Sequence, residues 1–241
     1  MSTRLPLFPL GTVLVPGEVL NLHIFEPRYR ALVDDLLSKD PRVDTPIFGV
    51  VAIRAGLEVG REQLRALHGV GCVAEVLEIT GHPDGSSDVM AVGRQRFRLL
   101  DLDTEAGTPY LTGVVDWLEE PVAAVPPELV VGVQDAFDIY CSQLGSLVTG
   151  SVDARMVPDE PLTDQSVTDD ISPRDDPTML SYMVTGSMML HLTERQALLA
   201  APDAASRLRG ALKLLRREST LFEIVPSVPA VDLARAPADP R

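Results

Sequence analysis

Apolar positions in the first half of the chain fall in short β-branched runs separated by turn residues. They predict strands at Leu5–Phe8, Val19–Phe25, Ile47–Ile53, Val70–Thr80, Asp88–Val92, Phe97–Leu102 and Tyr110–Leu118. Between two of them lies Gly81-His82-Pro83-Asp84-Gly85-Ser86, whose Asp-Gly pair suits the positive φ of a hairpin loop. One helix interrupts the series. At Pro27–Leu37 the period changes to that of an α-helix, with Tyr29, Leu32, Val33 and Leu36 on one face. Phe25 before it is expected to bury among the strands. Glu26 stands where a carboxylate meets unpaired N–H groups, and Pro27 suits a first helical position.

The pattern changes after residue 120. Pro126-Pro127 opens a helical stretch to about Leu144. Residues 149–177 are poor in apolar side chains and carry eight acids and two bases between Asp153 and Asp176, which reads as a flexible acidic loop. Three more helices are expected. Asp176-Pro177 caps Thr178–Leu190, Thr193-Glu194-Arg195-Gln196 fits a capping box for a helix through Ala200, and Pro202-Asp203 introduces a helix to about Glu218. The tail from Pro226 is rich in proline and alanine and reads as loose. The division is therefore a β-domain at 1–120, a helical part at 121–225 and a tail at 226–241.

Charge narrows the functional classes. The 241 residues carry a net charge of −14, spread over both halves, which disfavours binding to phosphate backbones and anionic membranes. No run of 18 apolar residues and no signal peptide is evident, so a cytoplasmic location with reduced thiols is the default. Two lysines stand against nineteen arginines, which with the many Ala, Val and Pro suggests a GC-rich coding genome. Neither lysine follows a glycine, so there is no GxxxxGK[ST] phosphate loop, and HExxH and GxSxG are also absent. Cys72 and Cys141 form no CxxC pair. Both fall in patterns typical of small buried hydrophobes, although a Cys-His pair assembled in space stays open. The four histidines, His23, His68, His82 and His191, are scattered with no metal-ligand spacing. No catalytic, cofactor or metal residue is assigned.

Several motifs carry a resemblance. LPLFPLGTVLVPGEVLNLHIFEPRYRALV (5–33), Gly71-Cys72-Val73-Ala74-Glu75-Val76, the Pro83-Asp84-Gly85 turn, Gly93-Arg94-Gln95-Arg96-Phe97-Arg98 and Glu194-Arg195-Gln196-Ala197-Leu198-Leu199 with Arg207-Leu208 follow one another in order. Together, over roughly residues 4–218, they resemble the N-terminal substrate-binding domain of the ATP-dependent protease Lon, especially in its stand-alone and RING-associated forms. The resemblance implies an α+β protein: a PUA-like β pseudo-barrel with an inserted helix, then a C-terminal α-helical bundle. It implies a module of bacterial protein quality control that binds unfolded or exposed apolar peptide segments, alone or beside a separate protease or chaperone, without the ATPase and peptidase parts. RNA binding through the PUA-like relation is the alternative.

Candidate peptide-contacting residues are Phe25, Glu26, Arg28, Tyr29, Arg96 and Met183. Each has a plainer reading. The corner at 25–29 could simply join a sheet to a helix. Arg94, Arg96 and Arg98 alternate, so in a regular strand they share one face, which would grip acidic groups or lie solvated. Met179, Met183, Met188 and Met189 would line an adaptable groove or fill gaps between helices. Arg207, Arg209, Lys213, Arg216 and Arg217 give the last helix a basic side, solvated or docked on acidic groups.

Overall fold

Two long strands form the spine of the β-part. β4 (Val70–Gly81) and β5 (Ser87–Leu102) pair antiparallel across the expected hairpin, with Gly85 at φ +80° in the turn. They belong to a computed structural model that describes residues 2–38, 45–54, 63–121, 124–151 and 174–224. The other strands are β1 (Thr3–Leu10), β2 (Val19–Ile24), β3 (Ile47–Ala52) and β6 (Thr112–Leu118). β1 runs parallel to β3 and antiparallel to β6, and β6 also pairs with β5. The neighbours β5, β4, β3, β1 and β6 therefore return to β5, and β2 extends the sheet along the first half of that strand. Closing the pairings in this way leaves few free strand edges.

Helix α1 occupies Pro27–Leu37, and its buried residues are Tyr29, Leu32, Val33 and Leu36, as the period predicts. That face packs with Phe8, Leu14, Ile24 and Phe48, and the Tyr29 ring stacks on Phe8 at 4.0 Å. A second apolar cluster, around Leu5, Leu7, Val73, Phe97, Leu99 and Val115, fills the space among the ring strands. A short helix that the periodicity did not suggest, α2 (Gln63–Ala66), precedes β4.

The helical part comprises α3 (Pro127–Ser151), α4 (Pro177–Ser187), α5 (Leu192–Leu199) and α6 (Ala204–Ile224). They meet through Val133, Phe137 and Tyr140 of α3, Leu180 and Val184 of α4, Leu198 of α5, and Leu208, Ala211 and Leu215 of α6. Asp176 caps α4 as expected, its side chain accepting from the Thr178 and Met179 amides. The chain is thus α+β, a mixed sheet joined to packed helices. Most of the acidic loop and the tail lie outside the described residues.

Several expectations change. The runs at Asp88–Val92 and Phe97–Leu102 are one strand, because Gly93 does not break β5. Its amide donates to Glu18 and its carbonyl accepts from Gly17, and a Cβ there would come within 2.2 Å of the Val15 carbonyl oxygen. Between the pairs Cys72↔Arg96 and Ala74↔Gly93, β5 carries one residue more than β4. This bulge breaks the alternation between Arg94 and Arg96, so Arg94 leaves the face that Arg96 and Arg98 share; Arg96 is buried, while Arg94 and Arg98 stay exposed. The capping box at Thr193–Gln196 does not form. α5 starts two residues earlier with His191 as N-cap, Glu194 pairs with Arg217, and Gln196 donates to the Val70 carbonyl. Phe25 is not buried but 65% exposed. Arg207 is not part of a solvated basic side but wholly buried, and α6 continues past Glu218 to Ile224. Cys141 is exposed rather than buried.

Candidate functional site

The β-part and the helices are joined by a small apolar seam and two polar clamps. Val13, Val15 and Ala52 meet Tyr182 and Leu199 in the seam. The first clamp is Arg195. It donates to the Val13 carbonyl at 3.0 Å and the Gly186 carbonyl at 3.2 Å and ion-pairs with Glu18, whose other carboxylate oxygen accepts the Val15 amide at 3.1 Å. The β1–β2 loop is thereby tied to the turn between α4 and α5.

The second clamp is built around one carboxylate, Glu120, just after β6. Arg96 lies 2.7 Å and Arg207 3.2 Å from its Oε1, and the Tyr182 hydroxyl also donates to it. Arg96 further donates to the Leu199 and Ala201 carbonyls, so β5 is bound directly to the end of α5. Arg207 donates to Ser181 Oγ and the Leu198 carbonyl, and lies 3.9 Å over the Tyr182 ring. Burial pulls its pKa down to about 10, with the Arg96 charge acting the same way and Glu120 opposing both.

Between the clamps opens a cleft of about 660 Å³. One wall is Val15, Pro16, Gly17 and Glu18, a second is Gly93, Arg94 and Gln95, and the third is the α4 face bearing Met179, Tyr182, Met183 and Gly186. Gly17, at φ +83°, provides the turn that folds the first wall over. The charged groups on the walls are already paired, Glu18 with Arg195 and Arg94 with Glu75 at 2.8 Å. What faces the open space is therefore mainly apolar, and Met179 is half exposed. Methionine thioethers adapt their shape to varied apolar partners without needing a hydrogen bond. The larger hollow beyond the α4–α5 turn, about 740 Å³, is less suited to apolar material, because Arg195, Arg217, Glu194 and Glu218 all line it.

Sequence reasoning named six contact residues, and only Met183 lines the cleft. Arg96 does not line it and belongs to the Glu120 clamp. Phe25, Glu26, Arg28 and Tyr29 stand elsewhere, at the start of α1. Tyr29 is packed against Phe8, and Glu26 makes no cap hydrogen bond but accepts from Arg28 Nε at 2.9 Å. Met179 and Tyr182, which share the α4 face with Met183, were legible only as a methionine-rich helix. The walls at 15–18 and 93–95 fall within motifs that carried the family resemblance, but nothing in those motifs marked a cleft wall. Neither cysteine is poised for nucleophilic chemistry. Burial pushes the Cys72 thiol up to about 12, and partial burial with the nearby Asp138 charge raises that of Cys141. The histidines, scattered in sequence, are not all scattered in space. His23 and His82 both hydrogen-bond Asp88 on the outer face of the sheet.

The model of the ATP-dependent protease La (LON) substrate-binding domain matches residues 4–217. The chain belongs to the Lon substrate-binding domain family. Among Lon relatives it is 27% identical over 238 residues to Lon protease 1 of Thermus thermophilus, covering 93% of this chain and 26% of that protein. Against Lon protease 2 of Myxococcus xanthus the figures are 25% over 221 residues, 91% and 24%. The chain thus spans about a quarter of the length of these Lon proteases. A solved Lon N-terminal domain protein from Xanthomonas campestris has the same fold, at TM-score 0.58 and 22% identity, covering 88% of this chain and 98% of that one. The N-terminal domain of Mycobacterium avium complex Lon protease superposes at TM-score 0.55 and 16% identity, over 89% and 98%.

Proposed function

We propose that this chain is a non-catalytic peptide-binding module that seats exposed apolar segments of unfolded polypeptides in the cleft between the sheet and α4. The observation that carries the reading is the cleft itself: two methionines and a tyrosine from one helix face, opposite backbone-rich walls, with the bordering charges already paired. Membership of a family named for substrate binding supports it. An apolar side chain entering the cleft gains by leaving water, and the open side admits a chain passing through. Affinity is expected to be modest, since a flexible client loses conformational entropy on docking. A separate protease or chaperone in the cytoplasm would then receive the client. Consistently, no helix among the described residues is long and apolar enough to cross a membrane.

The closed strand pairings fit a PUA-like pseudo-barrel over 1–120, and the helices over 121–225 fit a C-terminal bundle. Glu120 at that boundary is the polar hinge pin. Arg94 and Arg96 offer the RNA alternative little, because Arg96 is buried and Arg94 is engaged with Glu75.

Fluorescence anisotropy with a labelled, reduced and carboxymethylated unfolded polypeptide tests the proposal. Met183→Asp and Met179→Asp place a charge in the cleft and are expected to weaken binding at least about tenfold, which is about 1.4 kcal/mol. Far-UV circular dichroism of Met179→Asp should be unchanged, since Met179 is exposed, and the same spectrum checks the fold of Met183→Asp, whose side chain also touches the helical core. Wild-type affinity in both variants would end the proposal.

A further inference from the structure

On the outer face of the sheet a second site is assembled from residues far apart in the chain. His23 of β2 and Asp88 of β5 are direct cross-strand partners. His82 follows β4 at the start of the hairpin turn. His23 Nδ1 lies 2.7 Å from Asp88 Oδ1, and His82 Nε2 lies 2.8 Å from Asp88 Oδ2. One ligand atom from each of the three residues falls within 4.8 Å of the others. The turn that carries His82 is well fixed. Its amide donates to the Ser86 carbonyl at 2.8 Å, its carbonyl accepts the Gly85 amide at 2.9 Å, and the Asp84 carboxylate accepts from the Ser86 amide and hydroxyl.

The surroundings favour a cation. The shallow depression at this face, about 340 Å³, is bordered by Glu78, Thr80 and Asn21 as well as by His23 and Asp88, and no lysine or arginine lines it. Two imidazoles and one carboxylate are a donor set suited to borderline divalent ions, with zinc first among those that accept a tetrahedral site. A carboxylate flanked by two exposed imidazoles contributes little to stability by hydrogen bonding alone, because water competes on every side.

We propose that His23, His82 and Asp88 bind a zinc-class divalent cation, with the remaining position open to water or to a group brought by a partner. Tetrahedral bonds of about 2.0–2.1 Å set ligand atoms about 3.4 Å apart, whereas the three here lie within 4.8 Å of one another with the imidazoles on different oxygens of Asp88, so both rings must turn to share one carboxylate oxygen. Both side chains are partly exposed, at 58% for His23 and 36% for His82, and are free to turn. Bound metal would tie the β4–β5 hairpin to β2. The site shares no lining residue with the apolar cleft and does not depend on the peptide-binding reading.

Tag-free full-length protein, titrated calorimetrically with zinc chloride, tests the site directly. The expected result is one saturable equivalent. His23→Ala, His82→Ala and Asp88→Asn should each weaken it at least about tenfold, whereas His68→Ala and His191→Ala leave it unchanged. Cobalt provides an independent readout, since a four-coordinate site gives intense visible absorption that the three site variants lose. Melting temperatures in EDTA should match the wild type, because all three side chains are at the surface. Absence of saturable binding, or binding that survives both histidine substitutions, overturns the proposal.

Discussion

Replacing Glu120 by alanine is expected to destabilise the fold by about 3–5 kcal/mol, as when one partner is removed from a buried ion pair. The reason is arithmetic of charge. Arg96 is 3% exposed and Arg207 is fully buried, and both guanidiniums turn to this one carboxylate. Without it two buried cations are left close to one another, and the hydroxyl of Tyr182 loses its acceptor. Arg96 keeps its two carbonyl partners on the α5 side and Arg207 keeps the Leu198 carbonyl and Ser181 Oγ, so the cost comes from two buried positive charges left without a counter-charge. Glu120→Gln retains an acceptor for Tyr182 and is expected to lose less. Urea denaturation monitored by circular dichroism gives both values. A loss below about 1 kcal/mol for Glu120→Ala would mean that water replaces the carboxylate, and that the clamp does not hold the two parts together.

The second large effect is expected at Phe97. Its ring is fully buried and sits against two glycines: a Cβ would come within 2.4 Å of it at Gly71 and 2.9 Å at Gly49. Those glycines leave the space that the ring fills, with Leu5, Leu7, Val73 and Val115 completing the cluster. Phe97→Ala removes the ring from the middle of the closed strand pairings, where backbone hydrogen bonds on all sides limit collapse. A cost of about 3–5 kcal/mol follows from the lost burial and the residual cavity. The urea midpoint should fall while the slope stays near that of the wild type. Peptide binding by the fraction still folded should be unchanged, because Phe97 does not line the cleft. A midpoint shift worth less than about 1 kcal/mol would show that the strand ring closes over the gap.

What was legible in the sequence was set by local physics. The proline at the first helical position and the spacing of Tyr29, Leu32, Val33 and Leu36 placed α1 to the residue. The Asp-Gly turn placed the β4–β5 hairpin, and Asp176 placed the start of α4. Several of the failures share a cause: they depend on a partner distant in the chain. The runs at Asp88–Val92 and Phe97–Leu102 looked like two strands, yet at Gly93 between them the missing side chain lets the Val15 carbonyl approach and β5 stays continuous. Arg96 and Arg207 looked like surface charges because their shared counter-charge, Glu120, lies 24 and 87 residues away in sequence. His23 and His82 looked unrelated until the pairing of β2 with β5 brought Asp88 between them. Of the candidate site, the methionine-rich helix was readable. The walls opposite it exist only once the β1–β2 loop is clamped to the α4–α5 turn by Arg195.

The most direct measurement is methyl NMR of the chain labelled at its methionine methyls, titrated with an unlabelled apolar peptide that is unstructured in solution. The Met179 and Met183 signals should shift together and saturate on a single isotherm, while Met90, exposed on β5 away from the cleft, stays in place. Unmoved Met179 and Met183 signals at saturating peptide, or a response confined to Met90, would contradict the cleft as the place where this protein binds its clients.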